Sequence, residues 1–299
     1  MSEHPFFHLG ELYLQKLSAV DSIADKLSRK MIVDYLPEQH KSFYPLLYTL
    51  YIASVDEFEK PWASIVTGKP GFIDAYDATH LHIKTQIIHG DKLDRNITQN
   101  KNIGLLGLEH QTRRRNRASG EIINMDSSGI RLKIHQALGN CPKYIQARNV
   151  SYIDTENTTL PVEEFDHLNT DCKDLIKKSD TFFIASYQPG PTKRGADISH
   201  RGGKPGFVKT GADNTLLFDD FSGNNLYMTL GNLHSHPYAG LLFINYDNGD
   251  LWQLQCEASI IETPNEIHAR TIKLNVKQVR KMPLALNIKW QFIEHSKFI

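Results

Sequence analysis

Apolar side chains recur at three- and four-residue intervals from Leu12 through Leu14, Leu17, Val20, Ile23, Leu27 and Met31 to Val33, with Asp21, Asp25, Lys26 and Arg29 between them. That period turns one face of a helix toward a core and the other toward water, so residues 11–36 read as helical, ending before Pro37, because the residue preceding a proline disfavours helix. The pattern then changes period. From Leu46 to Ser54 the residues are mostly β-branched or aromatic, a turn follows at Asp56–Lys60, and Trp62–Val66 repeats the strand composition. Further strands are expected at His80–Ile88, at Ile103–Glu109, around Ile122 and at Ile130–Ile134.

The second half replays this order. Gly68-Lys69-Pro70-Gly71-Phe72 recurs as Gly203-Lys204-Pro205-Gly206-Phe207, and Ile52-Ala53-Ser54 recurs as Ile184-Ala185-Ser186 within the strand expected at Thr181–Tyr187. Gly90-Asp91-Lys92-Leu93 matches Gly223-Asn224-Asn225-Leu226, and Gly104-Leu105-Leu106 matches Gly240-Leu241-Leu242. Collinear matches at nearly constant spacing indicate an internal repeat. The chain therefore divides into a helical segment (1–45), one β-rich module (46–153) and a second (170–299), joined by the polar stretch Asp154–Asn169. Within the first module Asn140 has the chemistry of a helix cap and Pro142 suits a first turn, which predicts a helix from Asn140 to about Arg148. That helix start offers free amides to an anion or simply ends a sheet crossover.

Composition narrows the function classes. Lys plus Arg and Asp plus Glu each number 34 in 299 residues, so the net charge is zero and long-range attraction to nucleic acid or an anionic membrane is not expected. Any anion site must be local. Three widely spaced cysteines fit a reducing cytoplasm and give no cysteine-ligated cluster, and neither a secretion signal nor a run long enough to span a membrane is read. His80 with His82, and His234 with His236, have same-face spacing but no third ligand, so no metal is expected. Motifs for dinucleotide folds, P-loop enzymes, zinc proteases and serine hydrolases are missing from the sequence.

What remains is cationic and glycine-rich. Ser199, His200 and Arg201 place a hydroxyl, an imidazole and a guanidinium in succession, followed by Lys204, and arginine grips phosphate oxygens bidentately. A solvated loop before Pro205 fits the same residues. Asp219–Leu226 reads as a strand end opening a helix, with Ser222 or Gly223 as its cap and free amides beyond. The dense basic run Arg113-Arg114-Arg115-Asn116-Arg117 suits a solvated edge strand, or, on a strand, a face shared by Arg113, Arg115 and Arg117.

Taken together, Phe7–Leu12, Pro61–Ser64 with Gly71-Phe72, Arg113–Arg117, Gly139–Ile145 and Ser199–Phe207 resemble the tandem branch of the pyridoxamine 5'-phosphate oxidase-like, FMN-binding split β-barrel family. The resemblance implies a β-rich α+β fold of two six-stranded split barrels packed as an intrachain pseudo-dimer, with FMN where the barrels meet. It implies phosphate contacts from Ser199, His200, Arg201, Ser222, Gly223, Asn224 and Asn225, the two asparagines standing where family members are usually basic. Trp62, Arg113, Arg115, Asn140 and Lys143 are expected near the flavin ring. The expected function is a cytoplasmic FMN-dependent oxidoreductase acting on a small molecule, with NADH or NADPH as a candidate donor and a monomeric or homodimeric state. A non-catalytic flavin- or haem-binding module, or an interaction protein with a decayed site, are the alternatives. The pyridoxamine phosphate recognition residues are not recognisable, so the namesake reaction is not carried over.

Overall fold

A computed structural model describes residues 4–154, 160–190, 195–223, 225–263 and 269–299. The N-terminal amphipathic stretch is two helices, α1 (Leu9–Leu17) and α2 (Asp21–Met31), broken where Ala19 takes a φ of 52°. Pro37 does not stop the second helix. It precedes a short α3 (Glu38–Phe43), and the chain before it already runs extended, with Val33 bridging to Ala137.

The first half then forms β1 (Thr49–Val55), β2 (Pro61–Thr67), β3 (Ile73–Asp74), β4 (His80–Ile83), α4 (Lys92–Gln99), β5 (Asn102–Glu109), β6 (Arg114–Asp126) and β7 (Gly129–Asn140). The strand expected at His80–Ile88 ends at Ile83. β8 (Ala147–Tyr152), β9 (Glu163–Phe165) and α5 (Thr170–Lys178) follow, so the polar stretch read as joining the modules contributes a strand, paired with the second sheet at Val279–Lys281; its residues 155–159 lie outside those described. The second half comprises β10 (Thr181–Tyr187), β11 (Ala196–Gly202), β12 (Lys209–Thr210), β13 (Thr215–Asp219), α6 (Met228–Ser235), β14 (Tyr238–Ile244), β15 (Leu251–Glu262), β16 (Arg270–Met282) and β17 (Ile288–Glu294).

The two sheets have the same strand order. The first runs β2-β1-β5-β6-β7-β4-β3 and the second β11-β10-β14-β15-β16-β13-β12. Register agrees residue by residue: Ile52 faces Ser64 as Ile184 faces Ser199, Ala53 faces Gly104 as Ala185 faces Gly240, and Leu106 faces Arg117 as Leu242 faces Gln253. The fold is thus β-rich α+β, and the sequence repeat is a repeat of structure.

Both inner strands are buried along their whole length, which needs two apolar environments. On β1, Leu50 and Ile52 face the core of their own half, while Tyr51, Ala53 and Val55 join Phe183, Ala185, Ile198 and Leu242 in a core between the halves. Tyr51 and Phe183, equivalent by register, stack there with ring centroids 3.6 Å apart. Gly104 and Gly240 let the sheets approach. A Cβ on Gly104 would lie 2.6 Å from the Ala196 carbonyl oxygen, and one on Gly240 2.5 Å from that of Pro61.

Buried histidines are expected to make the fold acid-sensitive. His110 hydrogen-bonds the Tyr51 hydroxyl at 2.9 Å, and burial, then the Arg148 guanidinium, push its pKa down to about 3. Burial likewise lowers His40, and burial with Arg115 next lowers His200 well below its ordinary value. His110 and His200 stay neutral in the folded chain while the unfolded chain takes up a proton near pH 6.5, and His40 shifts in the same direction. Stability is therefore expected to fall as pH drops below 6.5, continuing toward pH 3 for His110, by up to about 1.4 kcal/mol per pH unit for each histidine. Urea midpoints at pH 7.5 and 5 measure this, and an unchanged midpoint would contradict it.

Candidate functional site

Strand alternation decides what β11 offers. Asp197, Ser199 and Arg201 share one face and Ile198 and His200 the other, as the period of two requires. From the opposite half, β6 brings Arg115 and Arg117 toward the same place. Arg117 forms an ion pair with Asp197, and Arg115 Nη1 lies 3.4 Å from His200 Nδ1. Between these strands lies a cleft of about 200 Å³, lined also by the N-terminus of α6, by the β13–α6 loop and by the turn after β7.

The α6 terminus is unusual. Its first residue is preceded by Tyr227 in the left-handed region, at a φ of 57°, and no side chain among the described residues caps it. Thr229, in its first turn, lines the cleft with its hydroxyl 2.8 Å from Ser199 Oγ. A helix start with free amides beside two hydroxyls attracts negative charge.

Cations exceed carboxylates here. Arg201 Nη1 donates to Asp220 at 3.1 Å and Arg117 is paired with Asp197. Among the described residues Arg115 and Lys143 have no carboxylate partner, Lys143 lying over the Phe298 ring at 5.3 Å. Burial, then neighbouring Arg117, pushes the Arg115 pKa down to about 10. The Nε atoms of Arg115, Arg117 and Arg201, together with Asn140 Oδ1, are buried without a hydrogen-bond partner among the described residues. The unpaired guanidinium donors cost free energy that an anion seated in the cleft would relieve, whereas Asn140 Oδ1 accepts and would take a donor from a ligand.

The structure brings together Ser199, His200, Arg201, Arg115, Asn140 and Lys143, with Ser222, Gly223 and Asn225 at the mouth. Asn224 lies outside the described residues. Four expectations need correction. No helix runs from Asn140 to Arg148: Gly139 and Asn140 stay paired with Asn116 and Arg115, Pro142 follows the strand end, Tyr144 turns the chain at a φ of 66°, and β8 begins at Ala147. Ser222 and Gly223 cap nothing, since α6 starts at Met228. Arg113, at a φ of 59°, precedes β6 and points away, donating to the Ile145 carbonyl at 3.0 Å and pairing with Glu294 at 2.7 Å.

Trp62 is the fourth. By register it is the first-half counterpart of Asp197, so it lies at the mirror position, in a separate groove where its Nε1 donates to Asp56 at 3.0 Å. Arg117 and Thr229 are the site residues left unassigned by the cofactor reading. Arg117 was present in the basic run, but Thr229 had no local signal because the helix start was placed too early.

No protein-family model matches the sequence, and no curated protein matches it. Solved structures resemble part of the chain. They include the HupZ protein of Group A Streptococcus (12% identity, 38% of this chain and 99% of that one, TM-score 0.31). A Lactobacillus delbrueckii protein assigned provisionally as a pyridoxamine 5'-phosphate oxidase shows 13% identity over 38% of this chain and 94% of that one, with a TM-score of 0.30. The haem storage protein HutZ of Vibrio cholerae shows 11% identity over 39% and 95%, with a TM-score of 0.27. Similarity at this level leaves the assignment to the cleft itself.

Proposed function

We propose that the two sheets are tandem split barrels forming an intrachain pseudo-dimer, and that the cleft between them binds FMN, making the chain a flavin-dependent oxidoreductase for a small molecule. The observation that carries this reading is the surplus of buried cationic donors at an uncapped helix start, facing Ser199 and Thr229. A phosphate monoester carries close to two negative charges at neutral pH, with a second pKa of about 6, and Arg115 and Lys143 supply two cations with no ion-pair partner among the described residues, against the one further carboxylate of the lining, Asp219.

The residues fit the group chemically. Ser199, Thr229, Arg201, Arg117 and the α6 amides would hold its phosphate, and Phe218, Leu106 and Leu230 give the cleft apolar wall. When bound, the flavin supplies the electron or hydride chemistry. Arg115, kept cationic beside it, would favour negative charge on its side of the cleft, and buried His200 stays neutral, so it can accept a hydrogen bond without adding charge. The Tyr144 hydroxyl donates to the Ser222 carbonyl at 3.1 Å and its ring lies 5.3 Å from Phe221, which narrows the mouth against water.

The test is the absorption spectrum of chain reconstituted with FMN, before and after NADH or NADPH. A protein-bound flavin band bleached by the nucleotide is the expected result. A bound flavin inert to reductant would restrict the chain to binding, a Soret band with added haem would favour a haem module, and refusal of FMN would overturn the reading.

A further inference from the structure

The first half contains the counterpart of the anion seat, and it is filled. α4 and α6 correspond because Asn96 Nδ2 donates to Ser54 Oγ at 2.9 Å just as Asn232 Nδ2 donates to Ser186 Oγ at 3.0 Å, and Ser54 and Ser186 occupy matching strand positions. Asp91 is therefore the counterpart of Tyr227, Leu93 of Thr229, Ser64 of Ser199 and, by strand register, Gln253 of Arg117. In the second half these positions frame the open cleft.

In the first half they converge on one atom. Asp91 Oδ1 accepts from Ser64 Oγ at 2.6 Å, from the Leu93 amide at 2.8 Å and from Gln253 Nε2 at 2.9 Å. A strand hydroxyl, a helix-start amide and a side chain crossing from the other half are the same three kinds of donor that surround the open seat. Asp91 is 4% exposed, and its second oxygen is buried without a partner among the described residues. An ordinary helix cap needs only the amide bond; the bonds from Ser64 and from Gln253 of the other sheet go beyond capping. Burial holds the pKa of this carboxyl above its ordinary value, although Ser64, the Leu93 amide and Gln253 each act to lower it.

We propose that Asp91 is an internal substitute for the ligand's anionic group, closing the first-half seat so that each chain keeps one open seat. The proposal rests on reading the second-half cleft as an anion seat. It also accounts for the change of Arg117 to Gln253 and Arg201 to Val66 between the two: a site holding its own carboxylate needs a neutral donor, not a guanidinium.

Chemical rescue tests it. Asp91→Gly removes the carboxylate at a position where glycine is tolerated as a cap, and Asp91→Asn keeps a side-chain acceptor in place. Added formate should raise the melting temperature of Asp91→Gly by roughly 2–4 °C beyond its effect on wild type and on Asp91→Asn, with chloride as the control. Equal formate responses in all three would overturn the proposal. If Asp91→Gly does not fold, recovery of soluble protein on refolding in formate but not chloride supports it, and no recovery overturns it. FMN binding by wild type is scored separately. Formate rescue without FMN binding would keep the internal anion and remove the flavin seat, whereas FMN binding without rescue would do the reverse.

Discussion

Replacing Arg201 with alanine should weaken FMN binding by about 10- to 150-fold, while Arg114→Ala leaves it unchanged. Arg201 lies on the cleft face of β11, mostly buried, with its Nε unpaired among the described residues, and a charged hydrogen bond to phosphate is worth about 1.5–3 kcal/mol. Arg114 is exposed at the start of β6, an interior strand of the first sheet and not the solvated edge strand the basic run suggested, over the Phe43 ring at 5.0 Å, and does not line the cleft. Because Arg201 also pairs with Asp220, the alanine variant leaves that carboxylate in the cleft mouth to repel the ligand. Asp220→Asn separates the two effects: it keeps the guanidinium and removes the competing charge, so its affinity should rise. A fluorescence titration in which Arg201→Ala and wild type bind FMN equally would take Arg201 out of the site.

Gly104→Val should produce the largest loss of stability of any single substitution considered, and Gly104→Ala a loss of about 3 kcal/mol. The added carbon of either variant meets backbone: 2.6 Å from the Ala196 carbonyl oxygen and 2.8 Å from Asp197 Cα, atoms of β11 that cannot rotate away. Overpacking of this kind costs about 1–3 kcal/mol and sometimes more, from a total stability of about 5–15 kcal/mol. The displaced strand carries Asp197, Ser199 and Arg201, so FMN affinity should fall with stability. Gly139→Ala is the control, since a Cβ there meets nothing nearer than 3.8 Å. Chemical denaturation showing Gly104→Ala as stable as Gly139→Ala would mean that the halves do not depend on this contact.

The strands were legible in the sequence because alternation is local, and the repeat was legible because Gly-Lys-Pro-Gly-Phe turns have the same geometry in both halves. What was lost depends on distant partners. Asn140 and Pro142 carry a helix signature, but Gly139 and Asn140 extend a ladder with Asn116 and Arg115 that no local rule registers. The match of Gly90-Asp91 to Gly223-Asn224 misplaced the α6 start; only the bonds of Asn96 and Asn232 to Ser54 and Ser186 set the correspondence. Trp62 was expected near the flavin ring from the family resemblance, yet the symmetry that relates it to Asp197 puts it in the other groove. Arg113, unlike Arg115, sits before the strand and itself takes a positive φ, enough to aim it at Glu294.

The central claim is that one phosphorylated flavin binds each chain, in the second-half cleft. Equilibrium titration of the full chain with FMN and, separately, with riboflavin tests it most directly. The account predicts one FMN per chain, with riboflavin at least about tenfold weaker for want of the phosphate bonds. Two FMN per chain, equal affinity for the two flavins, or no FMN bound at saturation would contradict it.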